Sequence, residues 1–355
     1  MRGDAVWCAD EHMGGVFVTR DRARVVESLT RLGFPEVNEL GTMRSVAHMF
    51  GTSKRRCGIY ALVLPRDRVY IGQAVDVVRR FGQHRLSRER IDAFAFVPVP
   101  RTHLYERERA LIAAAERDGL EMANVMHVST FSGDSDLDTV VPPDLQTQWL
   151  AEPYAVNARE RRDVALLDLP RALSERFSHR AAALERHPAG RTANHLLATF
   201  LSSCVPLPRS TEYSFWAVSC LPSTGSRAFP RLVCVNAGVM ELFVIGGHRS
   251  LDHSRSVWGF VNVAADVLHE GSGSDRRFKS RHRGIEVEHS TYRDAGQHQR
   301  RLAFDSEGAA ADALFDPRVQ RAAGTLALRV MRKRATIYSK YHCKQLADTA
   351  FAVMP

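Results

Sequence analysis

The chain has no CxxC pair: its six cysteines, Cys8, Cys57, Cys204, Cys220, Cys234 and Cys343, stand singly along 355 residues. Such spacing argues against a structural zinc site and reads as reduced, mostly buried thiols in a cytoplasm. No run of about 18 apolar residues occurs, so no membrane span is expected. Met1-Arg2-Gly3-Asp4 has no apolar stretch behind it, which speaks against a signal peptide. Internal repeats and heptad, collagen-like or prion-like bias are missing too, which excludes solenoid and fibrous architectures. Lysine is scarce.

Arginine therefore supplies most of the 49 basic residues, and the net charge is +9. Its distribution says more than its sum. Residues 1–53 carry −1, residues 54–128 carry +5, residues 129–160 carry −5 and residues 161–355 carry +10. Arginine suits bidentate phosphate contacts, so a polyanionic partner is one reading. Solvated surface arginine is the other.

An apolar content of 45% and a charged content of 25% suit an ordinary globular core. The expected organisation is an N-terminal extension (1–54), a small catalytic domain (55–128), an acidic linker (129–160) and a larger basic domain (161–355). In the extension, Val25, Val26, Leu29 and Leu32 line one face of a helix over 21–33. Strands are expected at 58–64 and 68–72, joined by the turn Pro65-Arg66-Asp67, and at 93–99, with Pro98 marking an edge or a strand end. Helices are expected at 75–87 and 103–118. The stretch around Ser132-Gly133-Asp134 and Pro142-Pro143 reads as linker. Beyond it, helices are expected at 163–186, 192–203, 308–334 and 336–352. Strand-like runs lie near 213–220, 231–236, 239–245 and 257–263. The fold class is α+β in both domains.

The chemistry concentrates in one stretch: Gly58-Ile59-Tyr60, then Tyr70-Ile71-Gly72-Gln73, Arg80, His84, Glu108 and Asn124. Hydrolysing a phosphodiester needs an activated water, stabilisation of charge on phosphorus and help for the leaving oxygen. A carboxylate can hold one hard divalent cation that keeps several waters. A guanidinium can grip nonbridging oxygens, and a phenol or imidazole can orient or deprotonate water. Arg80 and His84 are four residues apart on one helix face. Glu108 falls inside the apolar stripe Leu104, Leu111, Ile112 and Ala115, whereas Glu106 and Glu116 fall off it. A carboxylate on an inward face needs a cation or another partner. Tyr60 and Tyr70 can meet across neighbouring antiparallel strands. Taken singly, each of these residues has an ordinary packing or surface explanation.

Taken together and in this order, residues 56–127 resemble the GIY-YIG nuclease family, and the pairing of Arg80 with His84 and Asn124 looks like its restriction-endonuclease branch. The resemblance implies a three-stranded antiparallel sheet flanked by helices. It implies that Tyr60 activates or orients water, that Tyr70 assists at the scissile phosphate and that Arg80 stabilises the transition state. It further implies that Glu108 anchors one Mg²⁺ or Mn²⁺, and that His84 and Asn124 join the site. Ala74 and Asp76 depart from the family's usual Ser and Asn; Asp76 can still cap the following helix.

In the basic domain, Arg276, Arg277, Lys279, Arg281 and Arg283 surround Phe278, a pattern that suits phosphate contact with one stacking ring. A solvated loop is the alternative. Arg332, Lys333, Arg334 and Lys340, near Tyr338 and Tyr341, form a second candidate helix for DNA. Tyr213, Phe215, Trp216, Phe243, Trp258 and Phe260 are core by default, although one or two suit a pocket for an extruded base. The function expected is a metal-dependent DNA endonuclease of restriction type, sequence-specific or modification-dependent. The alternatives are a structure- or lesion-directed repair nuclease and a catalytically silent DNA-binding protein. Double-stranded DNA is the expected partner. Two strands need two cuts, so the enzyme is expected to dimerise on its target or to nick the strands in turn.

Overall fold

A computed structural model describes residues 20–51, 55–87, 90–131, 134–224, 230–247, 257–270, 274–290 and 292–354. Backbone contacts divide the chain into two compact units, Met1–Glu121 and Met122–Pro355. Both mix α and β structure. The first contains a four-stranded antiparallel sheet and the second a six-stranded one.

The first unit runs α1 (Arg20–Arg31), β1 (Val37–Glu39), β2 (Gly58–Val63), β3 (Val69–Ala74), α2 (Val77–Ser87), β4 (Ala93–Pro98) and α3 (Leu104–Arg117). The strand order is β1-β4-β2-β3. Three strands were expected; the fourth comes from the segment read as an extension, since Val37 and Glu39 pair with Ala95 and Ala93. Leu29, Phe34, Leu40 and Val46 from the same segment are buried. Strand β2 lies between β4 and β3 and is buried along its whole length, as its unbroken apolar run requires.

Arg22 fastens α1 to the sheet. Its Nε donates to Asp67 Oδ1 at 2.6 Å, in the β2–β3 turn, and its Nη2 to Asp92 Oδ2 at 3.0 Å, just before β4. Its Nη1 lies 3.5 Å from Glu39 Oε1, at the end of β1. The side chain is 12% exposed, so these pairs are poorly screened.

The second unit runs α4 (Pro143–Ala151), α5 (Pro153–Asp163), α6 (Arg171–Ser174), α7 (Ser178–Glu185), α8 (Gly190–Cys204), β5 (Trp216–Cys220), β6 (Arg231–Ala237), β7 (Met240–Gly247), β8 (Val257–Ala264), α9 (Ala265–Leu268), α10 (Asp275–Arg281), β9 (Ile285–His289), β10 (Gln299–Phe304), α11 (Glu307–Phe315), α12 (Pro317–Lys333) and α13 (Lys344–Val353). The sheet order is β5-β6-β7-β8-β10-β9. One face packs on α8, α11 and α12, and Phe200 stacks on Phe243 at 4.7 Å there.

Several expected elements are corrected. Residues 129–160 are no linker. Leu137, Val141, Trp149 and Val156 enter the core, and Asn157 holds Trp149 Nε1 at 2.9 Å while donating to the Ser202 and Val205 carbonyls. The helix expected over 163–186 ends at Asp163 and resumes after Pro170, which cannot donate a helical bond. That over 308–334 breaks at Asp316, whose carboxylate caps α12 through Arg318 N, with Pro317 at its first turn. The last helix starts at Lys344, so Arg334, Tyr338 and Tyr341 share no helix face. The Gly/Ser-rich residues 271–274, ahead of the first basic cluster, lie mostly outside the described residues. No helix among the described residues is long and apolar enough to cross a membrane.

Arg22→Ala should destabilise the first unit by about 3 kcal/mol, because Asp92 and Asp67 lose a partly buried partner. Arg31→Ala, whose pairs with Glu27 and Asp118 are exposed, should cost less than about 1 kcal/mol. Thermal unfolding of the two variants side by side checks the ranking; equal effects would remove the clamp.

Candidate active site

The site is built around the Tyr60 phenol. β2 sends Tyr60 out opposite Gly72 of β3, its cross-strand partner. The opposite residue must be glycine: a Cβ on Gly72 would lie 2.6 Å from Tyr60 Oη and 2.9 Å from Tyr70 Cε1. The ring therefore lies over bare backbone, 1% exposed, with Tyr70 at 6.2 Å between centroids. A buried hydroxyl needs partners. Helix α2 brings them. Asp76 caps that helix by accepting from Arg79 N at 3.1 Å, as the sequence suggested. The Arg80 and His84 spacing then directs both side chains to one phenol: His84 Nε2 is 2.7 Å from Tyr60 Oη, and Arg80 Nε donates to the same oxygen at 3.3 Å. Tyr60 Oη accepts from Arg80, and its bond with His84 Nε2 runs in the direction set by the imidazole tautomer.

His84 also packs edge-on against Tyr70, at 5.0 Å between centroids. Arg80 is exposed and braced by Gln83 Oε1 at 2.9 Å, so its guanidinium sits at the edge of the site. Burial pushes the Tyr60 hydroxyl far above the usual phenol range; the neighbouring Tyr70 adds to this, while Arg80 opposes it. Arg80 is held more firmly protonated, first by its hydrogen bond to Tyr60. Burial thus disfavours ionisation of the phenol.

Helix α3 carries Glu108. Leu104, Leu111, Ile112 and Ala115 are buried on the stripe foreseen for it, and Glu108 is half-buried beside them. Its Oε2 accepts from Gln73 Nε2 at 2.8 Å. Gln73 follows Gly72 on β3, so one strand carries Tyr70, the space for Tyr60 and the holder of Glu108. The sequence reading gave Gln73 no role. Its position directly after Gly72 was the available signal, but its partner 35 residues away was not visible. Tyr60, Tyr70, Arg80 and His84 are brought together; Glu108 is held by Gln73, the residue after Gly72 on β3. Asn124 is buried and falls past the division between the units.

The residues proposed for DNA contact divide sharply. Arg276, Arg277, Lys279, Arg281 and Arg283 are exposed on and just after α10, with Lys279 paired to Glu286. Phe278 is no stacking ring for a base: it is 4% exposed and stacked on His282 at 4.2 Å. Arg332 is committed to Asp138 at 2.6 Å and Gln146 at 2.7 Å. Lys333 is buried, its ammonium donating to the Val128 and Asp294 carbonyls. Arg334 pairs with Asp294 at 3.2 Å. Lys340 is exposed and lies over the Tyr341 ring. The second basic cluster is therefore mainly internal scaffolding.

Gly72→Ala should force Tyr60 aside and cost about 1–3 kcal/mol as an overpacked site. Thermal unfolding, with a phenol-to-imidazole contact read by NMR of His84, checks both effects; an unshifted His84 resonance would contradict the packing described.

No known protein family, curated protein or solved structure was found to match this chain.

Proposed function

We propose that the first unit is the catalytic part of a metal-dependent DNA endonuclease of the GIY-YIG type. One observation carries the reading: a single buried phenol touched by an imidazole at 2.7 Å and a guanidinium at 3.3 Å, both from one helix. An ordinary packing tyrosine needs one partner. This one has a proton acceptor on one side and a fixed cation on the other, beside an exposed arginine fork.

The donor set bears on the metal. Among the described residues no group of three His, Cys, Asp or Glu is gathered, which disfavours a closed protein cage. A single half-buried carboxylate, steadied by the neutral amide of Gln73, fits a hard cation that keeps most of its waters. Glu108 would hold Mg²⁺ or Mn²⁺, which supplies charge neutralisation at the phosphate when bound.

The chain's own groups do the rest. A water poised at Tyr60 Oη gives its proton to that oxygen while Tyr60 passes its own proton to His84 Nε2. The water oxygen becomes the nucleophile, His84 ends protonated and no free phenolate forms. That relay suits a phenol whose ionisation is suppressed by burial. Arg80 grips the nonbridging oxygens as charge builds on phosphorus. The exposed basic residues of α10 contact the backbone of the duplex, and the target is chosen by the second unit. The preferred reading remains a restriction-type enzyme, acting as a dimer or by sequential nicking.

Glu108→Gln should abolish cleavage in Mg²⁺ while DNA binding persists; cutting near the wild-type rate would sink the assignment. Arg80→Lys should remain about 10²–10³-fold slow, since lysine lacks the planar fork. His84→Ala should flatten the ascending limb of the pH–rate profile, and an unchanged limb would reduce His84 to packing. Neutralising Arg276, Arg277, Lys279 and Arg281 together should shallow the salt dependence of DNA binding by roughly 0.9 log units per lost phosphate contact. An unchanged slope would move the DNA surface elsewhere.

A further inference from the structure

The six-stranded sheet has a second face. Cys234, Val244 and Phe260 form a small cluster there, with Trp258 and Ala303 packed on it, separate from the main core. Along β8 the residues Trp258, Phe260 and Asn262 alternate onto this face. Trp258 lies flat over Gly246, where a Cβ would meet its ring at 2.0 Å, and its Nε1 donates to the Gly247 carbonyl at 3.2 Å. The Arg301 guanidinium covers the Phe260 ring at 4.2 Å and reaches Glu288 only at 3.7 Å. Arg301 is also the direct cross-strand partner of Asn262.

Asn262 is 1% exposed. Its Nδ2 donates to the Glu241 carbonyl at 2.8 Å, while its Oδ1 has no hydrogen-bond partner among the described residues. The buried Nε of Arg301, its cross-strand partner, has none either. A buried polar atom left unpaired costs roughly 1–3 kcal/mol. An unpaired acceptor and an unpaired donor thus belong to cross-strand partners on one face, which also carries aromatic rings and a guanidinium plane.

That combination selects its occupant. A phosphate offers only acceptors and has nothing to give Asn262 Oδ1. An aliphatic group satisfies neither atom. A nucleobase brings a donor and an acceptor on one edge, and a flat face to stack on rings or guanidinium. An intact duplex cannot reach an atom under this cover, so the base must leave its stack. The second unit's basic balance supplies the attraction for the strand that carries it.

We propose that the outer face of β8, with Arg301, takes up a single base extruded from duplex DNA, with Asn262 and Arg301 reading its edge and Trp258 and Phe260 flanking its plane. This rests on the reading of the chain as a DNA endonuclease and assigns its target choice to one base lifted from the helix. Arg301 swings off Phe260 as the base enters.

The test uses the full chain carrying Glu108→Gln, so that DNA stays intact, and short duplexes of one sequence. One is fully paired, one holds a central mismatch with each of the four bases in turn, and one is abasic at that position. A mismatch lowers the cost of extrusion, so at least one mismatched duplex should bind about tenfold more tightly than the paired one. The abasic duplex should lose this advantage, because it is as flexible but has no base to insert. Asn262→Ala and Arg301→Gln, added separately, should cut the advantage below about twofold. If Asn262→Ala misfolds, judged by its thermal melt, the half-exposed Arg301→Gln carries the test. An abasic duplex bound as tightly as the mismatch would overturn the proposal, since flexibility would then be what is read. Undiminished preference in the folded variants would overturn it too. So would free mononucleotides that compete as well as the mismatched duplex. Failure to bind any duplex would overturn the nuclease reading itself, whereas binding without mismatch preference overturns the base site alone.

Discussion

Burying a phenol in the middle of a sheet is costly unless its oxygen finds partners, and the first unit is arranged around meeting that requirement at Tyr60. Strand β2 is central and wholly buried, so Tyr60 cannot turn to water. Its ring needs the bare backbone of Gly72 across the strand, and its oxygen needs donors or acceptors from whatever packs above. Helix α2 brings Arg80 and His84 to that one atom, which fixes the helix's rotation. Asp76 sets where that helix begins. The same burial that creates the structural demand raises the phenol's pKa and so disfavours its ionised form.

The second unit solves a different problem. Its sheet is too wide for one layer of helices to leave both faces alike. One face is ordinary core, with Phe200 stacked on Phe243. The other is covered by its own long side chains: Arg231 pairs with Glu241, Tyr292 donates to the same carboxylate at 2.6 Å, and Arg301 lies over Phe260. Such a cover is movable in a way a packed helix is not. It exchanges a few polar contacts rather than a core, which is what a face must do if a ligand is to replace it.

Much of the first unit could be read from the sequence because its signals are local. The strand pair around Pro65-Arg66-Asp67, the cap at Asp76, the i,i+4 pair and the stripe holding Glu108 each depend on neighbours within one element or one turn. What escaped depended on distance. β1 is three residues long, and only its pairing with β4, more than fifty residues later, makes it a strand. The acidic segment before residue 160 looked like linker because its composition is polar. Its fate was decided by Asn157 reaching carbonyls 45 and 48 residues away and by Trp149 filling the space above Gly324. Pro317 was a local signal for a helix break, and the apolar periodicity on both sides of it hid the interruption.

Net charge is a coarse guide to a binding surface, and the reason is physical. An arginine can serve an outside partner only if its guanidinium is free to exchange partners. In the second unit many are not. Arg329 grips Asp266 at 2.7 and 2.9 Å, Arg300 holds Asp275 at 3.0 Å, and Arg332 is tied to Asp138. Arg209 donates to the Arg161 and Val164 carbonyls, and Arg161 to that of Met354. These groups offset the unit's carboxylates or backbone dipoles and are spent internally. What stays exposed is spread over the unit, from Arg171 and Arg191 to Arg321, with one cluster on α10, where buried Phe278 and the pairing of Asp275 with His269 and Arg300 hold the helix and Arg276, Arg277, Lys279 and Arg281 face solvent. A count of charges therefore cannot locate a surface; the partners of each guanidinium must be known first.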